Sequence, residues 1–475
     1  MGLNQLPCFV AGRRVDPPDG TPFRVESIDQ SLSVSAAVTS PTGLRAALRF
    51  AGESQYRLNC SPLSERTQVV QSLIRLYYQR RHEVAWALAH FRGIVRRDAD
   101  WMSEVLSAWG SEIPKFLTLA GVVPGDGESV QNLLASRRSR VLWRSRGPAT
   151  LLCSSTMDGP PAVATLCHAI LSGTHVIMRP SWRDAVTHFA FEALAEMGFG
   201  HYAQLVRWPS GGKESGLLNR QMLRHTSQSL IFSSNETYSK LLSDAADPCT
   251  DEWLDLQRRS RRYGTGLPLV IVTPNANLDR VADQLVEGAR KGNGRFCMST
   301  GPVLVAESCY DALLPRLVSE VARLVAGDLH CSGTDIGRCA LEERRSLEQA
   351  ISRFGGRVSS GRLSDESMNV LIVSDVPRES PCLAQEYPGP ALFLIRVRDR
   401  TDAITLAQDG LRRNSREAWT SITTQGDEED FAAVSNSVSS YRHVRGGVTT
   451  EVDLCTPHQG SYFLLDLMLR SVLGD

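Results

Sequence analysis

From residue 149 onward, short apolar runs alternate with longer amphipathic stretches, and this rhythm constrains the fold more than any other feature of the chain. Residues 149–153, 175–178, 203–207 and 229–232 read as strands, while 160–172 and 184–197 read as helices, the first closed by Gly173. Strands separated by helical crossovers form a parallel sheet with helices on both faces, and such sheets bind ligands at the carboxyl ends of their strands. A second alternation follows. Residues 269–272 read as a buried strand, 277–292 as a helix, 301–306 as a strand, and the pattern continues to about residue 450. Ahead of both, 42–57, 64–95 and 99–119 have helical periodicity, as in the spacing of Val69, Leu73, Leu76 and Tyr77. Residues 124–147 differ. Gly125, Asp126 and Gly127 make a turn, and Val141 and Trp143 alternate with Arg residues, as in an exposed two-stranded ribbon. Its arginines either protect an edge or meet a partner subunit.

Charge narrows the function. The chain has 52 basic and 52 acidic residues, and all but Lys115, Lys213, Lys240 and Lys291 of the basic ones are Arg. That balance argues against a general nucleic-acid or membrane-surface binder, which needs net positive charge. A content of 42% hydrophobic and 22% charged residues excludes wholesale disorder. No apolar run approaches the roughly 20 residues that span a bilayer, and residues 1–13 lack a secretory leader pattern. The expected location is cytoplasmic. The 11 cysteines contain no C-x-x-C pair and read mostly as buried thiols. His330, Cys331 and Cys339 fit no zinc spacing, so no metal is expected.

The most informative segment is Gly292-Asn-Gly-Arg-Phe-Cys297-Met-Ser-Thr-Gly-Pro-Val-Leu-Val305. A helix ends at a glycine pair, a thiol sits on the following loop, and a strand begins after Gly301-Pro302. From spacing alone, Cys297 is either a buried structural thiol or a nucleophile facing a cleft. In the second case loop N–H groups would favour the thiolate and stabilise an oxyanion.

Here the sequence resembles the aldehyde dehydrogenase superfamily. The Gly-x-Phe-Cys loop is similar to that family's nucleophile loop. Val176-Ile-Met-Arg-Pro-Ser181 stands where the family has a strand ending in Lys-Pro-Ser, and Ile231-Phe-Ser-Ser-Asn235 where it has Phe-Thr-Gly-Ser. Residues 263–268 and Asn275-Ala-Asn-Leu-Asp279 resemble the stretch after its general-base Glu, and Glu386-Tyr-Pro-Gly-Pro390 resembles Glu-x-Phe-Gly-Pro. Five matches in order carry the resemblance. Phe296-Cys297, with 447–452 and 458–461, looks nearest the NADP-dependent semialdehyde dehydrogenases.

The resemblance implies an α/β fold with three parts. Residues 1–123 and 148–258 would form a Rossmann-type nucleotide-binding domain and 259–450 the catalytic domain. Residues 124–147 and 451–475 would form an oligomerisation ribbon and tail, joining homodimers or homotetramers. It implies that the Cys297 thiolate attacks an aldehyde, that hydride passes to nicotinamide, and that a thioester remains for water or another thiol to remove. Glu386 would hold the nicotinamide ribose, Arg179 and Ser181 would lie at the adenosine end, and Phe232 and Asn235 near the pyrophosphate. NAD users of the family place an acidic residue where this chain has Trp182, flanked by Arg179 and Arg183. That arrangement favours the 2′-phosphate of NADP over NAD.

Departures are as informative. The family's general-base Glu aligns with Arg262, and a guanidinium accepts no proton near neutral pH. Its oxyanion-hole Asn falls within Ser154-Ser-Thr-Met-Asp-Gly-Pro160, where Asp158 would repel an oxyanion and Thr156 would donate to one. Loss of such a donor costs about 10²–10³ in rate. Ser234 replaces a glycine beside the pyrophosphate. Three readings follow: an aldehyde dehydrogenase with water activated by another group; an acyl-thioester reductase exchanging with coenzyme A or a carrier thiol, for which Arg262 is no obstacle; or a silent relative kept for assembly or regulation. The segments 99–120 and 440–461, with Trp101, Trp109, Phe116 and Arg445, suit an apolar or an acidic aldehyde alike. Residues 211–216 read as a turn rather than a P-loop, and Asp427-Glu-Glu-Asp430 as a helix start.

Overall fold

The computed structural model describes residues 5–19, 23–120, 122, 139–264, 266–338, 341–362, 369–385, 387, 389–413, 417–455, 458–459 and 461–474. The chain divides into two compact units. One comprises Met1–Ala87, Asp100–Gly264 and Asp453–Asp475, and the other Leu88–Ala99 and Thr265–Val452.

The first unit is built on strands β1 (Cys8–Val10), β2 (Arg13–Val15), β3 (Ala149–Leu152), β4 (Val176–Arg179), β5 (Ala203–Leu205), β6 (Gln228–Phe232) and β7 (Ser260–Tyr263). Their order is β7-β6-β3-β4-β5-β1-β2, with β7 through β5 parallel and β1 antiparallel to both its neighbours. Every residue of β3, β5 and β6 is buried, as a parallel sheet covered on both faces requires. Helix Pro160–Ser172 crosses from β3 to β4 and ends at Gly173, whose left-handed φ of 74° lets its N–H cap the last turn.

Three expectations are corrected. The stretch 64–95 is two helices, Leu63–Gln79 and Arg81–Arg92, broken at Arg80. The Arg80 guanidinium lies 4.0 Å over the Phe189 ring and pairs with Glu83 and Glu192, contacts that anchor the break. The helix expected over 184–197 spans only His188–Glu196. Asp184 instead folds a turn, accepting the Thr187 N–H and hydroxyl and a buried ion pair from Arg207 at 3.1 Å. Residues 211–216 are more than a turn, because helix Gly212–His225 starts there. The chain also has a C-terminal strand: Met468–Gly474 pairs antiparallel with Ser139–Ser145 over seven residue pairs. The ribbon is therefore closed by the C-terminal segment. The turn expected at Gly125–Gly127 lies outside the described residues.

The second unit contains β8 (Pro268–Val272), β9 (Pro302–Ala306), β10 (Arg357–Ser360), β11 (Leu371–Ser374), β12 (Ala391–Val397), β13 (Ser421–Gln425) and β14 (His443–Arg445). The order is β10-β11-β12-β9-β8-β13-β14, parallel except for β10. Alternate residues of β8 feed opposite cores. Leu269 and Ile271 pack with Phe393 and Trp419, and Val270 and Val272 with Leu285 and Leu313. The acidic run begins helix Glu428–Ser437, where Asp427 and Asp430 form a reciprocal capping box.

Candidate active site

In the second unit, helix Leu278–Arg290 delivers the chain to the Cys297 loop. Gly292, Asn293 and Gly294 are consecutively left-handed (φ 57°, 57° and 67°). Asn293 is fully buried, and its amide donates to the carbonyls of Gly93 at 2.7 Å and Arg338 at 3.0 Å. Asp98 accepts the Gly292 N–H at 2.7 Å and the Arg290 guanidinium at 3.3 Å. Burial raises Asp98 above the usual carboxylate range against the pull of Arg290. Arg295 is buried against Glu343.

Cys297 itself is partly exposed, unlike Cys8, Cys153, Cys167, Cys309, Cys382 and Cys455, which are buried. Gly266, at the start of β8, lies so close that a Cβ there would sit 1.5 Å from the Cys297 carbonyl oxygen. A Cβ on Gly294 would lie 2.4 Å from the Gly389 carbonyl, and the Gly294 carbonyl accepts the Gly389 N–H at 3.3 Å. Gly389 and Pro390 thus abut the Cys297 loop. Glu386 lies outside the described residues, as does Cys339. The His330 ring lies 4.7 Å from that of His90 at a tilt of 37°, and among the described residues no group of three metal-ligating side chains occurs.

In the first unit, the predicted cofactor residues gather at strand ends. Arg179 closes β4 with its guanidinium 5.0 Å over Trp208. Its Nη2 reaches the Trp208 carbonyl and the Ser210 hydroxyl, each at 3.4 Å. Its Nε is buried without a hydrogen-bond partner. Burial lowers its pKa to about 10, so it stays a cation at neutral pH. Trp182 is 40% exposed, and Arg183 lies 4.4 Å over its ring. Ser181 is buried and donates to Asp158 at 2.9 Å. Asp158 is itself 4% exposed, while Thr156, on a short turn ahead of it, is half-buried and bonds Ser154 at 2.8 Å.

Phe232 ends β6 stacked on Tyr263 at 5.1 Å. Ser234 is exposed and caps helix Asn235–Ala245 through the Thr237 N–H, with Asn235 exposed beside it. Arg262 is half-buried on β7 opposite Ile231, and its guanidinium lies against Gly264. Its neighbour Tyr263 donates to Asp466, which also accepts from Ser461 at 2.8 Å. Trp109 and Phe116 are buried around His168, Trp109 stacking on it at 4.9 Å. In the second unit, Arg445 is paired with Glu428.

Sequence reasoning missed Gly266, Asp98 and the Asp466 contact. An Asn between two glycines was the available signal for Asn293.

A model of the aldehyde dehydrogenase family matches residues 24–425. The chain belongs to the aldehyde dehydrogenase family. Members of that family are oxidoreductases acting on aldehyde groups with NAD(P). The chain is 21% identical to the vanillin dehydrogenase of Corynebacterium glutamicum over 426 residues, covering 86% of this chain and 83% of that protein. It is 24% identical to the glutarate-semialdehyde dehydrogenase of Pseudomonas putida over 254 residues, covering 51% of this chain and 50% of that one, so it spans about half the length of that relative. Among solved structures, an NAD-dependent aldehyde dehydrogenase from Sinorhizobium meliloti superimposes with a TM-score of 0.84 at 18% identity, covering 99% of this chain and 94% of that one. An NAD-dependent benzaldehyde dehydrogenase from Corynebacterium glutamicum gives 0.80 at 17%, covering 100% and 97%. These likenesses show the aldehyde dehydrogenase fold, with its Rossmann-like and catalytic parts. No helix among the described residues is long and apolar enough to cross a membrane.

Proposed function

We propose that this aldehyde dehydrogenase family member oxidises an aldehyde with NADP through a covalent intermediate on Cys297. The observation that carries the reading is the Cys297 loop: a partly exposed thiol on a backbone held by Gly266, Asp98 and Asn293. The thiolate Sγ adds to the aldehyde carbon to give a thiohemiacetal. Collapse with loss of hydride leaves a thioester, and water or an acceptor thiol cleaves it. A bound nicotinamide dinucleotide supplies the hydride acceptor.

The fit of that cofactor rests on Arg179. Its buried Nε without a partner and its two long contacts leave donors to spare, which suits an anion. Arg179, Ser181, Trp182 and Arg183 would hold the adenosine end and its 2′-phosphate. Phe232, Ser234 and Asn235 would lie by the pyrophosphate, and Glu386 would hold the ribose. Thr156 is the donor we assign to the oxyanion, because the buried Asp158 is engaged with Ser181. Arg445 is already paired with Glu428, which favours an apolar aldehyde over an acidic one. We place the enzyme in the cytoplasm, a reading supported by ten described cysteines outside any disulfide. The ribbon formed by Ser139–Ser145 and Met468–Gly474 would join homodimers or homotetramers.

One observation favours a second reading. Arg262 stands in place of the base that would activate water, so the acyl group would pass to a coenzyme A or carrier thiol, or arrive from one with NADPH as reductant. The test is a screen of NADP(H) turnover against aldehydes and acyl thioesters, repeated with Cys297→Ala. Reduction of NADP by an apolar aldehyde, abolished in a normally folded Ala variant, is expected. NADPH oxidation with acyl thioesters alone selects the second reading. Wild-type turnover by the Ala variant overturns both.

A further inference from the structure

We infer that Asn293 and Asp98 are positioning residues for Cys297, an inference that rests on the reading of Cys297 as the nucleophile. The three left-handed residues Gly292, Asn293 and Gly294 reverse the chain between the helix and the thiol. Left-handed backbone is costly for most residues; Gly escapes that cost, and Asn tolerates the region less freely. Glycine flanks position 293 on both sides, yet position 293 is not glycine. What Asn adds is three side-chain hydrogen bonds in a place without water access. Its Nδ2 donates to the Gly93 carbonyl at 2.7 Å and the Arg338 carbonyl at 3.0 Å, and its Oδ1 accepts the Gly337 N–H at 2.9 Å. Only an amide offers two donors and an acceptor in that arrangement. Asp would turn an oxygen toward two carbonyls. Gly would leave the Gly93 carbonyl and the Gly337 N–H without these partners and the Arg338 carbonyl with only the Arg295 guanidinium at 3.3 Å, and a buried unmatched group is a costly defect.

The segments that Asn293 grips are themselves fixed. A Cβ on Gly337 would lie 2.0 Å from the Gly93 carbonyl oxygen. Asp98, five residues beyond Gly93, holds the Gly292 N–H and the Arg290 guanidinium, and Arg290 also donates to the Asp335 carbonyl at 3.2 Å. The turn is therefore clamped by 93–98 on one side and 335–338 on the other. Beyond it, the Cys297 backbone rests on Gly266. A rotation within the turn is transmitted to the thiol, because the few residues between are packed at both ends. A misplacement of about 1 Å at a reacting atom can cost about 10²-fold in rate.

The experiment compares Asn293→Gly, Asn293→Asp and Asp98→Asn with the wild type. Asn293→Gly keeps the backbone geometry and removes only the clamp. Asp98→Asn keeps an acceptor for Gly292 and removes the charge facing Arg290. The expected result is a 10- to 100-fold fall in kcat with KM within threefold and unchanged affinity for NADP. A kcat within twofold of wild type in both Asn293→Gly and Asp98→Asn overturns the inference. If the wild type turns over no aldehyde or thioester, the proposed function fails separately. The rate of Cys297 alkylation by iodoacetamide then decides: at least a fivefold change in Asn293→Gly supports the clamp, and an unchanged rate overturns it.

Discussion

The Cys297 loop and the strand ends of the first unit are constrained in opposite ways. Around Cys297 the constraints are backbone against backbone. Gly266 touches the Cys297 main chain, Gly294 touches Gly389, and Gly337 touches Gly93. No side chain can be added at these places without moving the chain. At the strand ends of the first unit the divergent positions are side chains with room to change: Ser234 is exposed, and Thr156 and Arg262 are half-buried. The comparison teaches that the Cys297 loop is fixed by main-chain contacts, whereas the first unit's departures from the resemblance fall on side chains that are exposed or half-buried.

Gly266→Ala attacks the rigid side of that comparison and has the largest expected effect. The added methyl would overlap the Cys297 carbonyl at 1.5 Å, a contact that only backbone displacement relieves. Activity should fall at least 10³-fold, with soluble yield reduced. An active, normally soluble variant would show that the close packing here is dispensable.

Acid separates the two units by their histidines. His168 and His175 in the first unit are fully enclosed, and burial lowers each to about 3; His188 is lowered well below its ordinary value for the same reason. A histidine depressed in the folded state contributes stability that is complete above its unfolded pKa, about 6.5, and lost as pH falls toward the folded value. At pH 5, His168 and His175 should each withdraw about 2 kcal/mol. In the second unit the shifted histidines, His330 and His443, are only partly enclosed, and Asp402, held down to about 2 by Arg378, keeps its contribution until far stronger acid. Hydrogen exchange at pH 5 against pH 7, corrected for intrinsic rates, should therefore accelerate in peptides around 160–205 before those around 268–306. Equal acceleration in both would break the distinction.

The same contrast explains what the sequence revealed. The parallel sheets were legible because buried strands such as 269–272 and 229–232 are unbroken apolar runs between amphipathic helices. The Cys297 loop was legible because Gly292, Gly294 and Gly301-Pro302 punctuate it locally. Asp98 and Asn293 were not, since their partners lie 194 and 200 residues away. Periodicity carried the reading of 64–95 straight through Arg80, because a one-residue break keeps the apolar stripe nearly in phase. The start of the helix at His188 depends on the Asp184–Arg207 pair, and the pairing of Met468–Gly474 with Ser139–Ser145 joins opposite ends of the sequence. Neither leaves a local signal.

Arg262→Glu sharpens the permissive side, with a smaller expected effect. The position is half-buried on β7; beside it Tyr263 is tied to Asp466, and Ser260 receives the Tyr238 hydroxyl through its carbonyl. A carboxylate there would stand where the resemblance places the family's general-base Glu. If slow removal of the acyl group limits turnover, the variant should hydrolyse the thioester about 10²-fold faster, the scale of general-base catalysis. Steady-state aldehyde oxidation should rise while the pre-steady-state burst of NADPH shrinks. A chain that passes its acyl group to a thiol behaves otherwise: hydrolysis appears as a leak, and the yield of thioester product falls. Stopped-flow absorbance at 0 and 1 mM coenzyme A, ~1 mM being the upper end of ordinary KM values, distinguishes the two. Unchanged burst and unchanged steady state would mean that the residue at 262 has no part in acyl removal, and the divergence of the first unit would then carry no mechanistic message.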